Sequence, residues 1–301
     1  MKSIKIFDND IIVNDHLCST DINSYKKVNP SLRLYIKLND ECNARCKFCI
    51  NESSCNFGNI DFSKLEYVIN YLYSNNLLHS IGITGGEPML NPERLNRLIN
   101  LIYRIDKNIE VQINTNGVNL LEFLNFDDVN NLESIHISRH HYLDSKNNEI
   151  FGTEKIAKSY EIEQLQDLLK DKKIININTM VMKNYIYDLQ SIKNMLNYVG
   201  DLGVYKNGFI SLIKCNRYAI NHFINFNNIF NSLDKDFYLG HHFYKSIYCE
   251  CIDGMYITDN SKLVEFYARM IKDTKTPYVN NLVYETNNTL TANFNGKVLC
   301  K

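Results

Sequence analysis

Apolar and polar side chains alternate along Leu32-Arg33-Leu34-Tyr35-Ile36-Lys37-Leu38, the two-residue period of a strand with one buried face. A looser alternation along residues 3–14 (SIKIFDNDIIVN) predicts a short hairpin turning at Asn9-Asp10, and the polar stretch 15–30 reads as linker. Past residue 60 the period changes. Leu65, Val68, Ile69 and Leu72 recur at helical spacing behind Asp61, a good N-cap. Ser80 to Thr84 is a short buried strand, and Asn91 caps a second helix to about Arg104, with Leu95, Leu98, Ile99 and Ile102 inside. The rhythm continues with a strand at Glu110 to Asn114, a short helix around Leu120 and a strand at Ser134 to Ser138. A helix from about Tyr160 to Leu169, a strand from Ile174 to Met182, a helix from Asp188 to Tyr198 and a strand from Phe209 to Ile213 complete it.

Strands alternating with helices at this spacing predict βαβ units and a parallel sheet. Six repeats are visible, fewer than close a full TIM barrel. The expected fold class is therefore α/β, a partial (β/α)6 TIM-like barrel with a C-terminal extension. Residues 1–30 are read as N-terminal hairpin and linker, 31–215 as the barrel, and 216–301 as an aromatic-rich extension closing one side of it. Within the extension, Leu282 to Thr286 and Thr289 to Phe294 flank Asn287-Asn288 as a hairpin, and Asn295-Gly296 marks a second turn. Folds of this kind gather function at the C-terminal ends of their strands.

Charge changes the picture only by exclusion. Lys and Arg total 33 against 34 for Asp and Glu, so no general affinity for nucleic acid or for anionic membranes is expected, although a local basic patch is compatible with that balance. No apolar run approaches the roughly 18 residues that span a bilayer, and acidic residues come too early at the N-terminus for a signal peptide. A cytoplasmic, reducing location is the expectation. Nine cysteines, an odd number, do not suggest a disulfide framework. Trp is absent, but 20 Tyr and 15 Phe supply ample core material, so the many asparagines do not signal disorder.

The cysteines carry the candidate chemistry. Cys42, Cys46 and Cys49 form a C-x3-C-x2-C run on the loop leaving the Leu32–Leu38 strand, which is where such a fold places its site. Thiolates are the usual ligands of iron–sulfur clusters, and a 4Fe–4S cube normally takes four. Three without a near fourth leave one iron open. Zinc, or an electron-transfer cluster completed by a remote thiol such as Cys55, is the alternative that the run alone leaves standing. One βα unit later, Thr84-Gly85-Gly86-Glu87-Pro88 ends the next strand, its glycines permitting close backbone approach to a ligand.

The run and the GGEP segment together resemble the radical S-adenosylmethionine (SAM) superfamily, over about residues 32–213. Asn114-Thr115-Asn116-Gly117 is similar to the TNG segment of the subgroup that contains the molybdenum-cofactor GTP cyclase. The resemblance implies a 4Fe–4S cluster on Cys42, Cys46 and Cys49, with the amino and carboxylate groups of SAM on the open iron. It implies that Gly85, Gly86 and Glu87 face the SAM ammonium, that Phe48 lies near the adenine, and that Asn116, Ser138, Arg139 and Asn178 belong to the cofactor-binding wall. Arg139 paired with a surface carboxylate, and Asn116-Gly117 as a plain turn, are the structural readings of the same residues.

The resemblance also implies the first half of a reaction. A flavodoxin or ferredoxin-type partner reduces the cluster, SAM is cleaved, and the 5′-deoxyadenosyl radical takes a hydrogen atom from a small-molecule or peptide substrate. The protein's share is positioning and the exclusion of water and oxygen. An iron–sulfur electron-transfer or scaffold protein without SAM chemistry is the competing function. The chain departs from the paired glycines expected at the C-terminus of the GTP cyclase, ending Val298-Leu299-Cys300-Lys301. Cys215, Cys249, Cys251 and Cys300 are candidates for an auxiliary cluster or a hydrogen-donating thiol, but lack the usual compact spacing and read best as free cysteines. The doublets His140-His141 and His241-His242 are poor chelators, because neighbouring side chains on an extended strand point to opposite faces. His140, near the expected mouth of the barrel, is in a position to touch substrate.

Overall fold

In this computed structural model the chain is described at residues 2–13, 32–50, 58–123, 129, 131–169, 174–245, 252–258, 263–268, 278–279, 281–294 and 296–301. The proposed linker, Cys55, Cys249 and Cys251 lie outside these residues. The N-terminal hairpin pairs β1 (Lys2–Ile6) with β2 (Asn9–Val13). Its register matches Ile6 with Asn9, so the turn is Phe7-Asp8 rather than Asn9-Asp10. Phe7 holds it there: the ring stacks on Tyr71 at 4.0 Å and its N–H donates to the Tyr71 hydroxyl. This register also sends Ile6, Ile11 and Val13 into the core, which a one-residue slip would undo.

The main body follows the expected order: β3 (Leu32–Lys37), α1 (Phe62–Ser74), β4 (Leu78–Thr84), α2 (Pro92–Ile105), β5 (Glu110–Thr115), α3 (Leu120–Phe123), β6 (Ser134–Ser138), α4 (Asp144–Phe151), α5 (Ser159–Leu169), β7 (Ile175–Val181), α6 (Leu189–Asp201) and β8 (Lys206–Ser211). The caps explain several of the boundaries. Asp61 accepts from the N–H groups of Ser63 and Lys64, Asn91 from Arg94, and Asp188 from Ser191 in a capping box. Helix α4 was not visible as a periodic pattern because its sequence, DSKNNEIF, is largely polar; it stops at Gly152, which adopts the left-handed conformation at φ 65°.

Strands β3 to β8 lie side by side in chain order, all parallel. The C-terminal region supplies α7 (Arg217–His222), α8 (Phe226–Phe230), β9 (Phe237–Lys245), β10 (Ile252–Thr258), β11 (Leu263–Ala268), β12 (Tyr278–Val279), β13 (Asn281–Tyr284), β14 (Leu290–Ala292) and β15 (Val298–Cys300). It adds to both edges of the sheet rather than to one side. β13 joins β3 and β11 joins β8, each parallel, so two distant strands extend the six-strand core. The anticipated hairpins β13–β14 and β14–β15 form beyond β3, while β10 and β9 continue antiparallel beyond β11.

One face of this sheet is apolar. Leu34, Ile36, Ile81, Ile83, Val111, Ile113, Ile135, Ile137, Ile177 and Phe209 are buried in a single core with Leu65, Leu98, Ile99, Leu165 and Ile192 of the covering helices. Each such side chain contributes about 1.5–3 kcal/mol by leaving water. The opposite face carries Gln112, Asn114, His136, Ser138, Asn178 and Gly208 at the alternate positions. A Cβ on Gly82 would meet the Tyr35 ring at 2.8 Å, and one on Gly208 would meet Asn178 Oδ1 at 2.9 Å, which places these residues on that polar face.

Candidate active site at the ends of the strands

The cysteine loop leaves β3 and is tied at once to the turn after β4. Leu38 N–H donates to the Thr84 carbonyl at 2.9 Å, Gly86 N–H to Asn39 at 2.8 Å, and Glu87 N–H to Glu41 at 2.7 Å. Such packing needs both glycines. Gly85 sits at φ 146°, and a Cβ on Gly86 would lie 2.0 Å from the Glu41 carbonyl oxygen. The close approach that the glycines permit is thus, first of all, to the backbone of the cysteine loop.

Cys42 and Cys46 are partly buried and Cys49 is exposed. Burial, with help from the charges of Glu87 and Cys49, pushes the Cys42 thiol up. Burial and the neighbouring Cys49 and Cys42 push Cys46 up to about 12. Three thiolates alone would repel one another in this setting, and a cationic iron core is what offsets the repulsion. Among the described residues, no group of three His, Cys, Asp or Glu side chains converges tightly enough to hold a single metal ion. A cube places each thiolate on its own iron, so convergence on one point is not required of these cysteines. Asn39 Oδ1, buried against the Gly85 turn, has no donor. The donor set therefore fits a cluster held by three thiols, beside a turn with acceptor capacity to spare.

Glu87 is buried at this junction. Its Oε1 accepts from the Met89 N–H at 2.9 Å and from the Thr115 hydroxyl, and Oε2 accepts from the Asn116 N–H at 2.6 Å. Burial nevertheless dominates and raises the carboxyl to about 7. Two donors fill Oε1, whereas Oε2 keeps one acceptor position. Asn116 carries the junction onward: its Nδ2 donates to Asn43 Oδ1 of the cysteine loop at 2.9 Å, and its Oδ1 accepts from Val118 N–H. Gly117, at φ 81°, lies where a Cβ would be 2.4 Å from that of Ala157. Thr115 to Gly117 is therefore a brace between β5, the cysteine loop and the segment before α5, and not a plain turn.

Phe48 is buried, edge-on to His140 at 5.4 Å. His140 stacks on Phe151, and its Nδ1 accepts from Met180 N–H at 3.2 Å. Burial pulls His140 down to about 3, so it is a neutral core residue. His141 Nδ1 accepts from Leu143 N–H and is likewise shifted down, mainly by burial. Ser138 and Asn178 are paired neighbours on the polar face, Asn178 lying 3.3 Å from His136 Nδ1. His136 also bonds Ser134 Oγ at 2.9 Å; the alternation of β6 is the signal that would have brought it to notice.

Arg139 is not brought into this group. Its guanidinium is buried, donates to the carbonyls of His141, Ala157 and Tyr142, pairs with Asp144 at 2.5 Å and stacks over Tyr198 at 4.7 Å. It holds α4 and α5 to the end of β6. Cys215 is brought in: its thiol lies 3.9 Å from the Phe48 carbonyl and 4.0 Å from that of Cys49. Cys300 ends β15 at one edge of the sheet, and the side chains of His241 and His242 are not described. Asn39 and Asn43, which tie the loop down, carried no signal separable from the chain's many other asparagines.

The family model described as "Radical SAM superfamily" matches residues 36–197. The GTP 3′,8-cyclase of Clostridium perfringens (strain 13 / Type A) is 31% identical over 163 residues, 52% of this chain and 48% of that protein. The GTP 3′,8-cyclase of Aquifex aeolicus (strain VF5) is 25% identical over 182 residues, 57% of this chain and 53% of that one. Streptococcus suis SuiB, solved bound to S-adenosylmethionine, superposes with a TM-score of 0.50 at 17% identity, over 63% of this chain and 42% of its own, a likeness of fold. The chain spans about half or less of the length of the curated relatives it matches.

Proposed function

Because this chain belongs to the radical SAM superfamily, we propose that it is an enzyme that cleaves SAM reductively at a 4Fe–4S cluster held by Cys42, Cys46 and Cys49. The bound cofactors supply a 5′-deoxyadenosyl radical, which takes a hydrogen atom from a small-molecule or peptide substrate. What supports this reading most is the interlock of the cysteine loop with two strand ends: Gly86 and Glu87 bonded to Asn39 and Glu41, and Asn116 bonded to Asn43. Three motifs separate in the chain are hydrogen-bonded to one another there.

The chain's own residues have definable parts in this scheme. Glu87 offers the remaining acceptor position on Oε2, and Asn39 Oδ1 is a second acceptor, both suited to an ammonium group. Gly85 and Gly86 let the turn pack against the backbone of the cysteine loop. Phe48 would offer an adenosine an apolar surface, and Ser138 and Asn178, paired on the polar face, would offer it hydrogen bonds. The polar wall from Gln112 to Asn178 suits a substrate that hydrogen-bonds. Arg139 organises the wall from behind. The test is anaerobic reconstitution, reduction in the presence of SAM, and assay for 5′-deoxyadenosine. Product lost in Cys46→Ala supports the proposal; an intact reduced cluster that binds no SAM and gives no product overturns it in favour of electron transfer alone.

A further inference from the structure

Strand β13 runs parallel to β3 with Tyr284 opposite Ile36, so the residues after each emerge side by side at the same end of the sheet. Glu285 and Thr286 therefore land beside Lys37 and Asp40, at the entry to the cysteine loop. Lys37 Nζ pairs with Glu285 Oε2 at 2.8 Å, and the Thr286 hydroxyl donates to Asp40 Oδ2. The turn that follows closes tightly. Glu285 N–H donates to the Thr289 carbonyl and Asn288 N–H to that of Glu285, both at 2.9 Å. Asn288 takes the left-handed conformation there, at φ 65°.

From this position Asn288 reaches the far end of the same loop. Its Oδ1 accepts from the Asp61 N–H at 2.6 Å, and its Nδ2 donates to the Asn59 carbonyl at 3.1 Å. Asp61 caps α1, so the bond bears on where that helix starts. Gly58 packs against the turn: a Cβ on it would lie 2.5 Å from the Thr286 carbonyl oxygen. One turn, residues 285–289, thus holds both ends of the segment that contains Cys42, Cys46 and Cys49. At the entry the carbonyls of Asn39 and Glu41 accept from Gly86 and Glu87, and the Asp40 side chain between them is held by Thr286. The middle of the loop is tied independently, through Arg45 to Phe151 and Asn43 to Asn116.

We propose that this turn is a staple that sets the cysteine loop for its cluster, with Thr286 and Asn288 as positioning residues for the three thiols. The inference rests on the function proposed above, which places a cluster on this loop. Residues 38–50 form neither helix nor strand, so their shape depends on what binds them. Holding the ends of a loop close restricts the conformations open to it. The largely buried Lys37–Glu285 pair adds direction more than net stability, because desolvation offsets much of its attraction. The hydroxyl on Asp40 and the carboxamide on Asp61 come from 246 and 227 residues further along the chain. The loop is therefore complete only when the β13–β14 hairpin has docked.

The experiment compares the full chain with Thr286→Val/Asn288→Gly, which removes both side-chain ties while glycine keeps the left-handed turn. Thr286→Ser restores the hydroxyl. Thr291→Val is the control, removing a buried hydroxyl that bonds only within the same hairpin. Apo protein at one pH is pulsed with iodoacetamide, and mass spectrometry follows Cys46; iron is counted separately after anaerobic reconstitution. Thiol modification in a folded protein reports local opening. Cys46 of the double variant should react about tenfold faster, and its iron should fall several-fold, at the thermal midpoint of Thr291→Val. Thr286→Ser and Thr291→Val should react and load like wild type. If the double variant does not fold, Thr286→Val alone should react roughly threefold faster, the loss of one hydrogen bond. Wild-type alkylation or wild-type iron loading in the folded variant overturns the staple, as does an equal effect of Thr291→Val. If alkylation responds as expected, yet the wild-type chain assembles no cluster, the staple stands and the cluster reading falls.

Discussion

Glu87, on the turn after β4, accepts a 2.6 Å hydrogen bond from the backbone N–H of Asn116 at the end of β5. That bond couples two motifs 29 residues apart and holds a carboxylate where water does not reach it. The same Asn116 bonds the cysteine loop, so Glu87 acts on the site by position as well as by charge.

This burial has a pH signature. The Glu87 carboxyl is raised from an ordinary 4.5 to about 7. A raised acid favours folding while it is protonated; the benefit is fully present below about pH 4.5 and is lost as the pH climbs to about 7. The apo protein should lose up to about 3 kcal/mol across that window relative to Glu87→Gln, which cannot ionise. At low pH the substitution itself costs about 1–3 kcal/mol, because its amide turns a donor toward the Asn116 N–H. Urea midpoints of the two apo proteins between pH 4.5 and 7.5 check this; parallel curves would contradict it.

Gly86→Ala should cost the site more than the fold. A Cβ there would lie 2.0 Å from the Glu41 carbonyl, so the cysteine loop has to move away. Far-ultraviolet circular dichroism should stay close to wild type, while iron bound after reconstitution falls several-fold. Full iron loading in Gly86→Ala would show that the loop tolerates the displacement.

Arg139→Ala should unfold the protein more readily without weakening SAM. The change orphans the carbonyls of His141, Tyr142 and Ala157 and removes the cation over Tyr198, at a cost of about 2–4 kcal/mol. Thermal denaturation of the apo protein measures that loss. Calorimetric titration of the folded fraction should give a SAM Kd within about twofold of wild type. A tenfold weaker Kd at unchanged stability would instead make Arg139 a cofactor contact.

The strands β3 to β8 were legible because each pairs with its chain neighbour, and alternation or a buried run is a local signal. Leu32 to Lys37 and Ser134 to Ser138 appear where the pattern put them. β13 was legible as a hairpin strand, but its place beside β3, like that of β11 beside β8, was not, because each depends on a partner dozens of residues or more away in sequence. At the site, the spacing of Cys42, Cys46 and Cys49 and the resemblance carried by the GGEP segment pointed to the cysteine loop and Glu87, whose backbones are bonded together. Only coordinates show that Arg139 turns into the α4–α5 packing, and that Cys215 lies against the Phe48 and Cys49 carbonyls. Both residues follow strand ends, where the period-two rule no longer says which way a side chain points.

The central claim is a cluster on three cysteines with one iron left for SAM. Mössbauer spectroscopy of protein reconstituted with iron-57, recorded with and without SAM, tests it most directly. The account predicts that one iron of the cube changes its isomer shift when SAM is added, and that no cube assembles in Cys46→Ala. A cube whose irons all ignore SAM would contradict it.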